Sequence, residues 1–108
     1  MFAEVKDMLP VSGDGYDAQI CIQIMAAAAD LTRTAEIILP GKVDVAWDPD
    51  TRSVIDNSDV TDGYVITAIA TWCCAYIGNP PNHDSLVKAY NTIKGNMRLS
   101  SDYSDYGS

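Results

Sequence analysis

From Val65 to Ile77 the chain reads VITAIATWCCAYI, a run without a single charge, and Gly78-Asn79-Pro80-Pro81 stops it at once. Few folds can host such a segment. It falls short of the roughly 18 apolar residues that a membrane span needs, yet it is apolar around most of its circumference, the pattern of a helix packed on several sides. Val65, Ala68, Ile69, Trp72 and Tyr76 recur at helical spacing on one face. The expected element is a central helix that starts at Asp59 or Thr61 and runs through Ile77. Gly78 ends it, the prolines enforce an extended turn, and Asn82 or Asp84 caps a last helix presenting Leu86, Tyr90, Ile93 and Met97.

Two further helices precede it. Phe2 to Leu9 forms a short one with Phe2, Val5, Met8 and Leu9 on its apolar side, ended by Pro10 and the turn-rich VSGDG. Tyr16 to Ile37 carries Ile20, Ile24, Ala27, Ala28, Leu31 and Ala35 at helical spacing, with Asp14 and Asp17 placed to cap or complement its start. Its Ala-rich middle admits a close neighbour. Between Leu39 and Ser58 the helical pattern dissolves into two short β-branched pieces, KVDVAW and RSVID, which fit a small hairpin or an ordered loop. The fold class is therefore mainly α: a small four-helix domain, residues 1–99, with a long acidic loop between helices two and three and an extended C-terminal arm, residues 100–108. Ile24, Leu31, Ile69, Trp72, Leu86, Tyr90 and Ile93 are expected to share its core.

Fifteen acidic against seven basic residues leave a formal charge of -8, which repels phosphate and headgroups. Sequence-reading DNA binding is disfavoured. Nearly all the acid is Asp, which favours caps and turns. With no charged-then-apolar leader in view, the expectation is a soluble, unexported chain whose three cysteines behave as small buried hydrophobes.

Candidate sites thin out on inspection. Cys73 and Cys74 lie about 100° apart on a helix and make no easy zinc pair, and His83 reads as a solvated turn residue. Asp48 to Asp59 places carboxylates at positions 1, 3, 9 and 12 of a calcium loop, but Arg52 and Ser53 stand where a ligand and Gly belong, and Asp59 replaces the bidentate Glu. An acidic loop is the expectation. No nucleophile elbow, phosphate-cradling glycine loop or metal-binding histidine pair occurs. Neither an enzyme nor a cofactor is expected. Trp47, with Asp48, Asp50 and Arg52 beside it, either folds back onto the helices or makes this loop an interface.

YDAQICIQIMAAAADL, residues 16–31, resembles the opening long helix of the tailed-phage head-tail connector family, the head-completion adaptors, where an acidic residue and Q-I often begin that helix. VTDGYVITAIATWCCAYIGNPPNHDSLVKAYNTIKGNMRL, residues 60–99, resembles the family's paired final helices joined by a Pro-Pro-Asn turn. The likeness spans about Glu4 to Leu99. Gly95 and Asn96 depart from the strong helix formers usual in the last helix, and the third helix lacks the basic residues often found before the double proline. The resemblance implies a structural virion protein at the head-tail interface, assembled in the host cytoplasm. It implies a homo-oligomeric ring, dodecameric, below the portal protein, extending the DNA channel toward the stopper and tail. Genomic DNA would pass its lumen without sequence-specific binding.

The remaining tail, SSDYSDYGS, has no aliphatic residue. Its composition is that of a solvated end, while Tyr103 and Tyr106 offer amphipathic contact area. Ser101, Asp102, Tyr103 and Tyr106 are thus expected to contact the portal or a neighbouring subunit. Two other classes compete: an acidic DNA mimic that inhibits a nucleic-acid-binding enzyme, and a small metal or redox protein.

Overall fold

In the computed structural model, which describes residues 1–78 and 80–103, the apolar spacings become α1 (Phe2–Asp7), α2 (Asp17–Ala29), α3 (Gly63–Tyr76) and α4 (His83–Leu99). A two-stranded antiparallel hairpin, β1 (Val45–Asp48) and β2 (Ser53–Asp56), lies between α2 and α3. Among the described residues the protein is a mainly α domain of four α-helices with this small two-stranded sheet. No helix among the described residues is long and apolar enough to cross a membrane.

The uncharged run behaves as its composition dictates. α3 packs on α1, α2 and α4, and buries Val65, Ala68, Ile69, Ala70, Cys73 and Ala75. Its cap is Asp62, not Asp59 or Thr61: the Asp62 carboxylate accepts the N–H groups of Tyr64 at 2.8 Å and Val65 at 3.1 Å. Asp59 instead accepts the N–H of Lys42. Gly41 makes that turn possible, with φ 143° and only 2.7 Å between its absent Cβ position and the Asp59 side chain. At the other end Gly78, at φ 72°, closes α3.

α2 ends differently from the helical spacing. Its last turn widens into a π turn over Asp30–Thr34, and the chain leaves through Glu36 at φ 56° instead of continuing to Ile37. The Ala35 N–H reaches back to Asp30 O and the Ile37 N–H to Leu31 O. Leu31, Ala35 and Ile37 are all buried by this route. Nor does Asp14 cap α2; Tyr16 holds that position, and Asp17 pairs with Lys6 of α1 at 2.6 Å.

Of the expected core, Ile24, Leu31, Ile69 and Tyr90 are buried. Trp72 and Ile93 are half-buried at its edge, and Leu86 stands outside the buried cluster. The Trp72 indole stays near the surface because its N–H donates to Gln23 at 2.9 Å, while its ring meets Tyr76 and Tyr90 at 4.6 and 5.1 Å. Val5, Ile20, Val65, Cys73 and Met97 fill the centre.

Candidate interaction surface

The loop weighed as a calcium site is the hairpin. Val45 pairs with Asp56, Trp47 with Val54 and Asp48 with Ser53, leaving residues 49–52 as the turn. Its carboxylates serve the backbone: Asp48 accepts the Asp50 N–H at 2.9 Å, and Asp56 accepts the N–H of Phe2 at 2.8 Å and of Ser58 at 3.0 Å. Burial opposes the charge of Asp56, but these bonds and the Met1 ammonium outweigh it and hold the carboxyl at about 2. Trp47 folds back, half-buried against the core, while Asp50 and Arg52 are exposed at the tip. Arg52 takes φ 52° to complete the turn.

The tail turns inward as far as it is described. Ser101–Tyr103 form one 3₁₀ turn, and Tyr103 joins the core with 8% of its surface exposed. Its hydroxyl donates to Asp62 at 2.8 Å and its carbonyl accepts the Ile38 N–H at 2.9 Å. Burial, then the Asp62 charge, pushes the phenol up to about 12. Tyr103 is therefore a packing residue of its own domain, a correction to its expected role as a contact for the portal or a neighbour. Asp102 faces solvent and its N–H is held by Ser100. Tyr106 lies outside the described residues.

The cysteines and His83 have local uses. Burial pushes the Cys73 thiol up to about 12 and the Cys21 thiol, with help from Asp17, to about 11. Cys74 is half-buried and its thiol is also raised by burial. His83 is not a solvated turn residue: its Nδ1–H donates to Ala75 O at 2.7 Å in the last turn of α3, and its ring abuts Tyr76. Among the described residues no group of three or more His, Cys, Asp or Glu could hold a metal ion.

One polar cluster escaped the sequence reading. Asp30, at the π turn, accepts from the Tyr90 hydroxyl at 2.6 Å and the Lys94 ammonium at 3.0 Å. Burial opposes its charge, yet these two donors hold the carboxyl below the usual range. The signal was a lone acid closing an alanine run, with Tyr90 and Lys94 four residues apart on the last helix. It ties α2 to α4.

Exposed apolar side chains and a groove mark the surface of the described residues. Ile22 on α2 and Leu99 at the end of α4 are 65% and 88% exposed. A groove of about 430 Å³ opens between the end of α2 and residues 37–43. No family model, curated protein or solved structure matches the chain.

Proposed function

We propose that this chain is a structural virion subunit, a head-tail connector of a tailed phage that assembles as a homo-oligomeric ring below the portal protein and meets the stopper or tail-completion protein on its far side. The observation that carries this reading is the placement of the two stretches that resemble the connector family. One supplies α2; the other supplies α3 and α4, packed side by side across the Pro80-Pro81 turn. Ile22 and Leu99 add apolar contact area that a small subunit gains most from by assembling. The exposed hairpin tip, with Asp50 and Arg52, is a candidate contact with a neighbouring protein of the neck.

The charge of -8 suits a conduit through which DNA slides without being gripped. It would also suit a DNA mimic, but a mimic needs its carboxylates free along one surface. Here Asp17, Asp30, Asp48, Asp56, Asp59 and Asp62 are engaged by Lys, Tyr or backbone donors of their own chain. Neither catalysis nor a cofactor is part of the proposal.

Electron microscopy of the purified protein with and without a portal ring tests it. Rings that stack on the portal are the expected result. Persistent monomers that bind a nuclease or polymerase would overturn the connector reading in favour of the mimic.

A further inference from the structure

A two-stranded sheet has two outer edges, and here they differ. Asn57 N–H is bonded to Asp44 O at 2.8 Å and Asp59 N–H to Lys42 O at 3.0 Å, so the alternation of an antiparallel ladder turns the backbone groups of Ala46, Asp48, Ser53 and Ile55 inward. Those of Val45, Trp47, Val54 and Asp56 point out. The outer edge of β1 is occupied, because β1 lies against α2 and the Val45 N–H meets Met25 Sδ at 3.4 Å. The edge of β2 is open. Among the described residues the N–H groups of Val54 and Asp56 have no acceptor, and the bonds of Asp56 run through its carboxylate.

Exposure agrees with the ladder. Ile55 is 45% exposed, and Asp56 is exposed although its side chain is only 25% so, which leaves its backbone open. Natural proteins blunt such edges with lysine, proline or a bulge, and the regular strand Ser53–Asp56 carries none of these.

An open edge binds an extended chain through backbone hydrogen bonds, and side chains choose the partner. Five Asp and one Arg stand between Asp44 and Asp59, a local balance of -4. A basic strand is therefore favoured, and an apolar side chain gains most directly opposite Ile55. A second copy is disfavoured by the same charge, since it would lay β2 with its acid excess against itself. We infer that the β2 edge takes an added strand from another protein, an extended basic segment with an apolar residue opposite Ile55 and Lys or Arg on either side. Neither a ring nor a portal is needed for this, so it goes beyond the connector reading and stands or falls separately from it.

Amide hydrogen exchange read by NMR tests it, with a capped peptide of alternating Val and Lys as the probe. At saturating peptide the Val54 and Asp56 N–H groups should slow about tenfold, the worth of one hydrogen bond, while the Ile55 N–H, already in the ladder, stays as it was. The same peptide with alternate amides N-methylated keeps its charge but cannot pair, and should give no protection. Ile55→Lys changes only an exposed side chain and should weaken peptide binding by about fivefold. Equal binding of the N-methylated peptide, or of one with Glu in place of Lys, would overturn the inference. So would an absence of protection at Val54 and Asp56, or protection without peptide: growth with protein concentration would assign the edge to a second copy, and persistence on dilution would assign it to the chain itself.

Discussion

The Tyr103 hydroxyl donates to one oxygen of Asp62, and the other oxygen of that carboxylate caps the first turn of α3. One side chain thus starts the central helix and fastens the chain that follows the last helix. Burial opposes the charge of Asp62, and the three donors together hold the carboxyl below its usual range.

Tyr103→Phe should lower unfolding stability by about 0.5–1.5 kcal/mol, the worth of one hydrogen bond. Asp62→Ala should cost about 0.5–2 kcal/mol more than that, because the cap is lost as well. Urea denaturation of the single and double variants checks the coupling. The double variant should lose less than the sum of the singles; strict additivity would mean that the bond contributes nothing in solution.

Stability should fall at both pH extremes for different reasons. Asp56 is depressed from 3.8 to about 2 on folding, so its contribution is present above pH 3.8 and is lost as pH falls through about 2. Tyr103 is raised from 10.0 to about 12, so its contribution holds below pH 10 and is lost as pH rises through about 12. Denaturant midpoints against pH should show both limbs. Asp56→Asn should act mainly on the acid limb, and Tyr103→Phe should flatten the alkaline limb and, by taking a donor from Asp62, part of the acid limb as well.

Glu36 sits at φ 56°, in the left-handed region that disfavours residues with a Cβ. Its side chain is exposed. Glu36→Gly should therefore stabilise the fold by about 0.5 kcal/mol, the relief of strain exceeding the added freedom of the unfolded chain. A lower thermal midpoint for the variant would show that the side chain contributes more than its backbone costs.

Thiol labelling at pH 8 should reach Cys74 first and leave Cys21 and Cys73 unmodified until the protein unfolds. The order follows burial, since Cys73 has no exposed surface and Cys21 has 2%. Peptide mass spectrometry after brief alkylation reads it directly. Equal labelling at all three sites would contradict the packing of α3.

The sequence made α3 and its stop legible because both signals are local: an uncharged run and a glycine before two prolines. The hairpin was legible only in part, since its two β-branched pieces left a hairpin and an ordered loop both open. What escaped depended on partners distant in sequence. The end of α2 is shaped by Asp30, whose partners Tyr90 and Lys94 lie on the last helix. Apolar spacing continues to Ile37, and only the turn around Glu36 shows that the burial is achieved outside a helix. Tyr103 was hidden by its neighbours, since composition averages a serine- and aspartate-rich end and misses one ring that docks. Its role as an intramolecular contact emerges only with the positions of Asp62 and Ile38.

Tyr103 also sets a schedule for synthesis. A chain made from its N-terminus presents Ile38 and Asp62 long before Tyr103 exists. A nascent product ending at Leu99 would hold every helical segment and still lack the closing contact. The start of α3 would stay unfastened until Tyr103 docks, so this contact can form only after residue 103 has been made.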